Sequence, residues 1–137
     1  VEAFDLASAR ISVELRHATS GGAHTLFAAA RDAANWFGFR VENGQLHCES
    51  RNGGRPAAKT IPYDRAEHRF LRLRMSGVAP VVVWETSADG STWTIQYVET
   101  PIAPTSRLSI ALSAGTIGEE PVPGQAVFDN VRVEANP

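Results

Sequence analysis

The chain alternates apolar and polar residues in short runs separated by turn residues, a pattern that indicates antiparallel β-strands. Such runs occupy nine stretches: 10–17, 24–30, 36–42, 45–51, 68–75, 80–87, 92–98, 107–114 and 125–134. The alanine-rich segment 28–35 fits a helix, but it also fits a strand ending in a turn at Arg31-Asp32, which we favour. The pattern therefore predicts an all-β protein, a two-sheet antiparallel β-sandwich of the jelly-roll type.

The dipeptide Asp89-Gly90 separates two of these runs and predicts a hairpin with a two-residue type I′ turn. The resulting register puts three aromatic residues and an isoleucine on one face: Trp84, Trp93, Ile95 and Tyr97. Both faces of this hairpin are partly apolar, so alternation alone allows this set to be either core or an exposed stacking platform. Because burial of an indole is strongly stabilising, we expect the set to be core.

A second dipeptide, Asn43-Gly44, predicts a hairpin between 36–42 and 45–51. Its register pairs three inward positions with three others: Phe37 with Ser50, Phe39 with Cys48, and Val41 with Leu46. The opposite face is polar around one aromatic residue: Trp36, Arg40, Glu42, Gln45, His47, Glu49 and Arg51. In the run 68–75 the leucines and Met75 point inward, and a similar outward set remains: Phe70, Arg72 and Arg74.

Length and composition limit the classes of protein to consider. The chain has 137 residues, enough for one domain with a two-layer core, and we expect residues 1–137 to form a single β-sandwich. A net charge of −2 provides no basic field for nucleic acid, and no apolar run is long enough to span a membrane. The single cysteine, Cys48, excludes an intrachain disulfide. Because the chain starts at Val1 and its only methionine is Met75, we expect a module of a longer protein.

Several of these runs resemble the second half of a concanavalin A-like jelly roll, the fold of laminin G-like domains and legume lectins. The similar segments are 68–74, 82–84 and 87–93, and the segment 127–133 is similar to the last strand of many bacterial members. The resemblance extends over about residues 10–134 and implies binding of glycans, adhesion to proteins, or enzymes that act on glycans. Segment 87–93 also resembles a shortened sialidase Asp-box, in which Asp caps the loop.

Catalytic motifs of this superfamily are incomplete in the chain. Glucanases of this fold carry Glu-x-Asp-x-x-Glu on one strand, and no such string is present. The segments Ser12-Val-Glu-Leu-Arg16 and Gln45-Leu-His47 are similar to parts of an alginate-lyase pattern whose leading arginine and tyrosine-rich motif are missing. A small polysaccharide lyase or glycosidase is therefore the third hypothesis. The four histidines lack zinc-ligand spacing.

Calcium is the one cofactor that the resemblance leaves open, because many proteins of this fold bind it. Its candidate ligands are the carboxylates of Asp5, Asp32 and Asp129 with backbone carbonyls, although no compact acidic loop is present.

We expect a non-catalytic carbohydrate-binding module of a secreted or cell-surface bacterial protein. A sugar would stack on an exposed aromatic ring while polar side chains in a shallow groove of one sheet bind its hydroxyls. The expected ligand-binding residues are Trp36, Arg40, His47, Glu49, Arg72 and Arg74. The alternative is a structural or adhesion domain that binds another protein, in which these residues form only a solvated polar face.

Overall fold

The fold is built from ten antiparallel β-strands in a computed structural model that describes residues 3–77, 80–115 and 125–136. The strands are β1 (Ala9–His17), β2 (His24–Asp32), β3 (Asn35–Glu42), β4 (Gln45–Asn52), β5 (Arg55–Pro62), β6 (Phe70–Met75), β7 (Val82–Ser87), β8 (Thr94–Glu99), β9 (Ser109–Gly115) and β10 (Val127–Ala135). No helix occurs among the described residues. The alternative helix at 28–35 is therefore wrong. The favoured strand is present, but β2 continues through Arg31 and Asp32 and the turn lies at residues 33–34, two positions later than predicted.

The strands form two five-stranded sheets. Sheet I has the order β10-β1-β6-β7-β8, and sheet II has the order β5-β4-β3-β2-β9. The central strands β6 and β3 face each other. A side-chain hydrogen bond also joins the two sheets: Ser50 Oγ on β4 donates to Glu99 Oε1 on β8 at 2.7 Å. The protein is thus an all-β, two-sheet antiparallel β-sandwich, which confirms the predicted fold class.

Inward side chains of both sheets form one core between them. Trp84 on β7 is fully buried, and its Nε1–H donates to the Gly38 carbonyl of the opposite sheet at 2.8 Å. At Gly38 a Cβ atom would come within 2.6 Å of the Phe27 carbonyl oxygen, so the close approach of β2 and β3 requires glycine. Cys48 also lies in this core, and burial raises the pKa of its thiol to about 12, which makes it an unreactive packing group.

The hairpin of β3 and β4 has the predicted turn and register. Asn43 and Gly44 have φ angles of 52° and 72°, as a type I′ turn requires. Phe39 lies opposite Cys48 and Arg40 lies opposite His47. The predicted register is therefore confirmed. It could be predicted because the apolar and polar faces of the two strands differ clearly, which leaves only one register that buries the aromatic rings.

The predicted two-residue turn at Asp89-Gly90 is wrong. β7 ends at Ser87 and β8 begins at Thr94, so residues 88–93 form a longer loop, in which only Gly90 has a positive φ angle. The Asp89 carboxylate accepts hydrogen bonds of 2.8 Å from the backbone N–H groups of Ser91 and Thr92. These bonds close the loop through a side chain, as in an Asx turn, and they replace the backbone pairing of a tight hairpin.

A bulge between β7 and β8 also changes which residues share a face. Trp84 lies opposite Tyr97, and both belong to or pack against the core. After the irregularity Glu85 lies opposite Ile95, whose side chain is exposed on the outer face of sheet I. Trp93 precedes β8 and lies on the outer side as well. The expectation that all four residues form one buried face therefore holds for Trp84 and Tyr97 only.

One strand was not predicted. The loop expected at Gly53-Gly54-Arg55-Pro56 is a two-residue turn, with φ angles of 57° and 83° at the glycines, followed immediately by β5. Pro56 is tolerated because β5 is an edge strand, where a missing N–H removes no ladder hydrogen bond toward the solvent side. The other strand boundaries agree with the prediction to within two residues. The expected irregular connection up to Gly124, with Glu119-Glu120, lies beyond residue 115 outside the described residues.

Candidate functional site

The six predicted ligand-binding residues lie on two opposite surfaces. Trp36, Arg40, His47 and Glu49 are on β3 and β4, and they point outward from sheet II. Arg72 and Arg74 are on β6 and point outward from sheet I, so the whole core separates the two groups. The expectation that all six line the groove of one sheet is therefore wrong. Alternation shows that a side chain points outward, but it does not show from which sheet.

On sheet II, ion pairs connect the polar residues around Glu49. Its side chain is only 3% exposed, although it points outward, because Arg40 and Arg51 cover it. Arg40 Nε lies 2.6 Å from Glu49 Oε1, and Arg51 Nη2 lies 3.4 Å from Glu49 Oε2. The Arg51 guanidinium carbon is also 5.7 Å from the centroid of the Trp36 ring. Trp36 thus belongs to a network in which the charges already satisfy one another.

The histidine of this surface is also fixed by its neighbours. His47 Nδ1 lies 2.9 Å from Thr60 Oγ1 on the edge strand β5. Partial burial and the nearby positive charge of Arg40 lower the pKa of His47, so the ring is neutral at pH 7. A row of small residues crosses sheet II in register with Glu49: Ala111, Ala28, Gly38 and Ala58. Trp36 therefore lies two residues along β3 from this row of small residues.

On sheet I, Arg72 and Arg74 share one buried carboxylate. Their Nε atoms lie 2.9 Å and 2.8 Å from Glu85 Oε1, and the Glu85 side chain is 5% exposed. Burial opposes the ionisation of Glu85, but the hydrogen bonds from both arginines outweigh it and lower its pKa. Glu85 is therefore ionised at neutral pH and holds both guanidinium groups in place.

Trp93 completes this arrangement from the 88–93 loop. The Arg72 guanidinium carbon lies 4.0 Å from the centroid of the Trp93 ring, which is within cation–π distance. The same arginine therefore binds a buried carboxylate and an indole at once. Trp93 is the functional candidate that the hairpin register misassigned to the core. The sequence feature that could have indicated its position is the Asp-box-like segment 87–93. In that segment the tryptophan follows the loop that Asp89 closes and does not belong to the strand.

Next to Trp93 a cleft of about 530 Å³ opens across β6, β1 and β10. We call it the Trp93 cleft, and its principal lining side chains are Ser12, Arg72, Trp93, Asn130, Arg132 and Glu134. Ser12 lies in register between Arg132 and Arg72, so a small side chain separates two long ones. This alternation of long, short and long side chains produces the depression.

A bulge in β10 shapes one wall of the cleft. Asn130 has a positive φ of 49° at the irregularity opposite the segment between Ser12 and Glu14. Its Nδ2 donates a hydrogen bond of 2.8 Å to Glu14 Oε1. On the same wall Glu134 pairs with Arg10 at 3.3 Å and with Arg132 at 3.7 Å. Bulges commonly redirect side chains beside functional surfaces.

The two lyase-like segments do not come together. Glu14 and Arg16 lie on β1 in sheet I, whereas Gln45 and His47 lie on β4 in sheet II. Both pairs point outward, on opposite surfaces of the sandwich. The alginate-lyase arrangement suggested by these segments is therefore wrong for this fold, because its arginine and histidine could not contact one substrate.

The carboxylates of the three calcium candidates each accept a hydrogen bond from a backbone N–H group. Asp5 Oδ1 accepts from Arg107 N at 3.0 Å, and Asp32 Oδ1 accepts from Ala34 N at 2.8 Å. Asp129 Oδ1 accepts from its neighbour Asn130 N at 2.8 Å, and Asp129 Oδ2 lies 3.5 Å from Arg16. Within residues 3–77, 80–115 and 125–136, no group of three or more His, Cys, Asp or Glu side chains could hold a metal ion. These candidates therefore do not assemble into a calcium site there.

Comparison with known proteins supports the fold only. No family model matches the chain, and no curated protein matches it. A solved structure that resembles it is the crystal structure of a functionally unknown protein from Saccharomyces cerevisiae, with a TM-score of 0.62 and 20% sequence identity. The match covers 94% of this chain and 69% of the yeast chain. At this identity the likeness shows a shared β-sandwich architecture and carries no information on activity. In the described part of the chain, no helix has the length and hydropathy needed to cross a bilayer.

Proposed function

We propose that the protein is a non-catalytic carbohydrate-binding module and that the Trp93 cleft is its sugar site. The observation that carries the proposal is a partly exposed indole beside a depression lined with polar side chains already held in place. Aromatic rings offer a flat apolar surface to the C–H faces of a sugar ring, and the polar groups around the cleft match its hydroxyls.

The fixed position of Trp93 favours this function. Arg72 is itself held by Glu85, and it lies against one face of the indole at 4.0 Å. The Asp89-capped loop holds the backbone just before the indole. A ring that is ordered before the ligand arrives loses little conformational entropy on binding, which improves affinity.

The polar groups of the cleft provide both donors and acceptors. Ser12 and Asn130 offer a hydroxyl and an amide, and Glu134 offers a carboxylate held between Arg10 and Arg132. Hydroxyl groups act as donor and acceptor together, so a mixture of this kind suits a sugar better than a surface of one charge. The same proposal includes the concanavalin A-like superfamily and the secreted or cell-surface bacterial setting expected from the sequence.

The two partly exposed tryptophans, Trp36 and Trp93, allow a direct test, because they lie on opposite surfaces and each lies near one arginine. The protein is applied to a glycan array, and the strongest glycan is titrated while tryptophan fluorescence is followed. We expect Trp93→Ala to weaken binding at least tenfold, Trp93→Phe to weaken it less, and Trp36→Ala to leave it unchanged. Loss of binding in Trp36→Ala alone would move the site to sheet II, and absence of any glycan ligand would disprove the proposal.

A structural or adhesion domain is the second candidate. It is favoured by apolar side chains on the outer face of the edge strand β8, where Ile95 is 54% and Val98 is 50% exposed. An exposed apolar edge of this kind is suited to a protein contact. This candidate predicts association in light scattering that Ile95→Thr abolishes, together with no binding to any sugar on the glycan array.

A further inference from the structure

A second depression opens where β1 ends and the 63–69 segment passes beside it. Its volume is about 650 Å³, and its polar lining consists of Arg16, His17, Arg65 and Arg69. We call it the arginine cleft. No carboxylate side chain of the described residues lines it. Three guanidinium groups thus converge on one opening in a chain whose net charge is −2.

A buried carboxylate beneath the opening fixes two of these arginines. The Glu14 side chain is 6% exposed, and its Oε2 lies 2.6 Å from Arg69 Nη2 and 2.8 Å from Arg69 Nε. Arg16 Nε lies 3.5 Å from the same oxygen, and its Nη1 lies 3.5 Å from Asp129. Glu14 therefore orients both guanidinium groups, and the charges of Glu14 and Asp129 together balance only two of the three arginines.

The third arginine is held by a tight turn. His68 N–H donates to the Asp64 carbonyl at 2.9 Å, and Asp64 Oδ1 accepts from the backbone N–H groups of Ala66 and Glu67 at 2.9 Å and 3.0 Å. Arg65 lies within this turn, with Nη2 at 3.5 Å from His17 Nε2. In the part of the chain that the structure describes, Arg65 forms no ion pair with a carboxylate. Apart from the contact between Nη2 and His17, its guanidinium donors are therefore available to a ligand there.

The arginine cleft and the Trp93 cleft are neighbours along β1. Ser12 lines the Trp93 cleft and Arg16 lines the arginine cleft, a separation of about 13 Å at about 3.3 Å per strand residue. Between them Glu14 accepts from Asn130 on one side and from Arg69 on the other. One extended ligand lying along β1 would contact both clefts.

We propose that the arginine cleft binds the oxyanion of an acidic sugar, a carboxylate or a sulfate ester, when a neighbouring sugar ring occupies the Trp93 cleft. This inference rests on the proposed carbohydrate-binding function and narrows it to acidic oligosaccharides. Guanidinium groups suit this role because their paired N–H donors match the oxygens of carboxylate and sulfate groups.

The test compares matched glycans on one array: each backbone in its neutral form, with uronic acid units, and with sulfate esters. We expect the acidic forms to bind at least tenfold more tightly than the neutral form at low salt, and calorimetry on the best ligand to confirm the ratio. Arg65→Gln should remove this preference. Arg55→Gln, which removes the same charge from the exposed edge strand of the other sheet, should retain it.

The separate acidic forms identify the anion, since binding of the uronate alone assigns a carboxylate and binding of the sulfated form alone assigns a sulfate ester. Equal affinity for neutral and acidic glycans, abolished by Trp93→Ala, would disprove the anion site and leave the carbohydrate-binding function intact. An acidic preference that persists in Arg65→Gln would also disprove it. If no glycan of any form binds, both proposals fail.

Discussion

The Arg72 guanidinium lies between two partners, 2.9 Å from the buried Glu85 carboxylate and 4.0 Å from the centroid of the Trp93 ring. One side chain therefore couples the stability of sheet I to the position of the tryptophan at the candidate sugar site. Changes at Glu85 should therefore reach that site through Arg72.

Glu85→Gln should destabilise the fold by about 3 kcal/mol, because it leaves two largely buried guanidinium groups without their shared carboxylate. The same variant should weaken glycan binding, since Arg72 would no longer hold the indole. For the free energy of unfolding, Glu134→Gln is a matched control, because that side chain is 41% exposed and its ion pairs should contribute about 1 kcal/mol or less. Urea denaturation measures both variants, and equal destabilisation would contradict the assigned role of Glu85.

Asp89→Ala should weaken glycan binding by freeing the loop that carries Trp93. The carboxylate closes the 88–93 loop through the N–H groups of Ser91 and Thr92, and its removal should free the loop and the adjacent Trp93. The hydrogen bond from the Thr92 N–H group, followed by that from Ser91, lowers the pKa of the Asp89 carboxyl group. Asp89→Asn, which keeps one accepting oxygen, should be intermediate in affinity. Identical affinity of wild type and Asp89→Ala would show that the loop does not position the ring.

Stability should decrease as the pH falls below about 6.5, the ordinary pKa of histidine. His68 is buried, and its Nδ1 accepts the Asp64 N–H at 3.0 Å, which requires the neutral ring. Burial lowers the pKa of His68, so the folded protein binds fewer protons than the unfolded chain. The stabilisation is complete above the unfolded pKa and is lost as the pH falls through the folded one.

His47 titrates in the same direction, because its pKa is lowered as well. Unfolding curves measured between pH 7.5 and pH 5 should therefore show a smaller pH dependence in His68→Gln and in His47→Gln, and the smallest in the double variant. A pH dependence in His68→Gln equal to that of wild type would show that His68 is not the titrating group.

Gly38→Ala should destabilise the protein by about 3 kcal/mol, because the new methyl group would overlap the Phe27 carbonyl and the Ala28 side chain. Gly44→Ala provides the comparison. No atom lies within 4 Å of its Cβ position, but its φ of 72° strains any other residue by about 1–2 kcal/mol. Thermal or urea unfolding should rank the two in that order, and the reverse ranking would contradict the close approach at Gly38.

Lys59→Ile should promote self-association. Lys59 lies opposite Cys48 and thus on the inward side of the exposed edge strand β5, where an isolated charge discourages pairing with another sheet. Thr60→Ile, one residue along and on the outer side, adds a similar apolar group without removing the charge. Light scattering should detect larger species in the first variant at a concentration where the second remains unchanged.

Residue patterns predicted the fold well where a strand pair has one apolar and one polar face. The β3–β4 register followed from the contrast between Phe39 and Arg40. The register predicted for β7 and β8 was wrong, because Asp89 uses its side chain to close the loop and a bulge shifts Ile95 outward. The candidate site could not be predicted as a unit, because its members come from the two terminal strands, a central strand and a loop. Nothing local in the sequence shows that Ser12, Asn130 and Trp93 come together.

Three connections in sheet II are two residues long, between β2 and β3, β3 and β4, and β4 and β5. These strands can therefore pair soon after they leave the ribosome. Sheet I is different, because β1 must wait for β10, whose first residue follows the last residue of β1 by more than one hundred positions. Such distant pairing slows folding. Both candidate clefts include residues of β10, so ligand binding should be the last property that a newly made chain acquires.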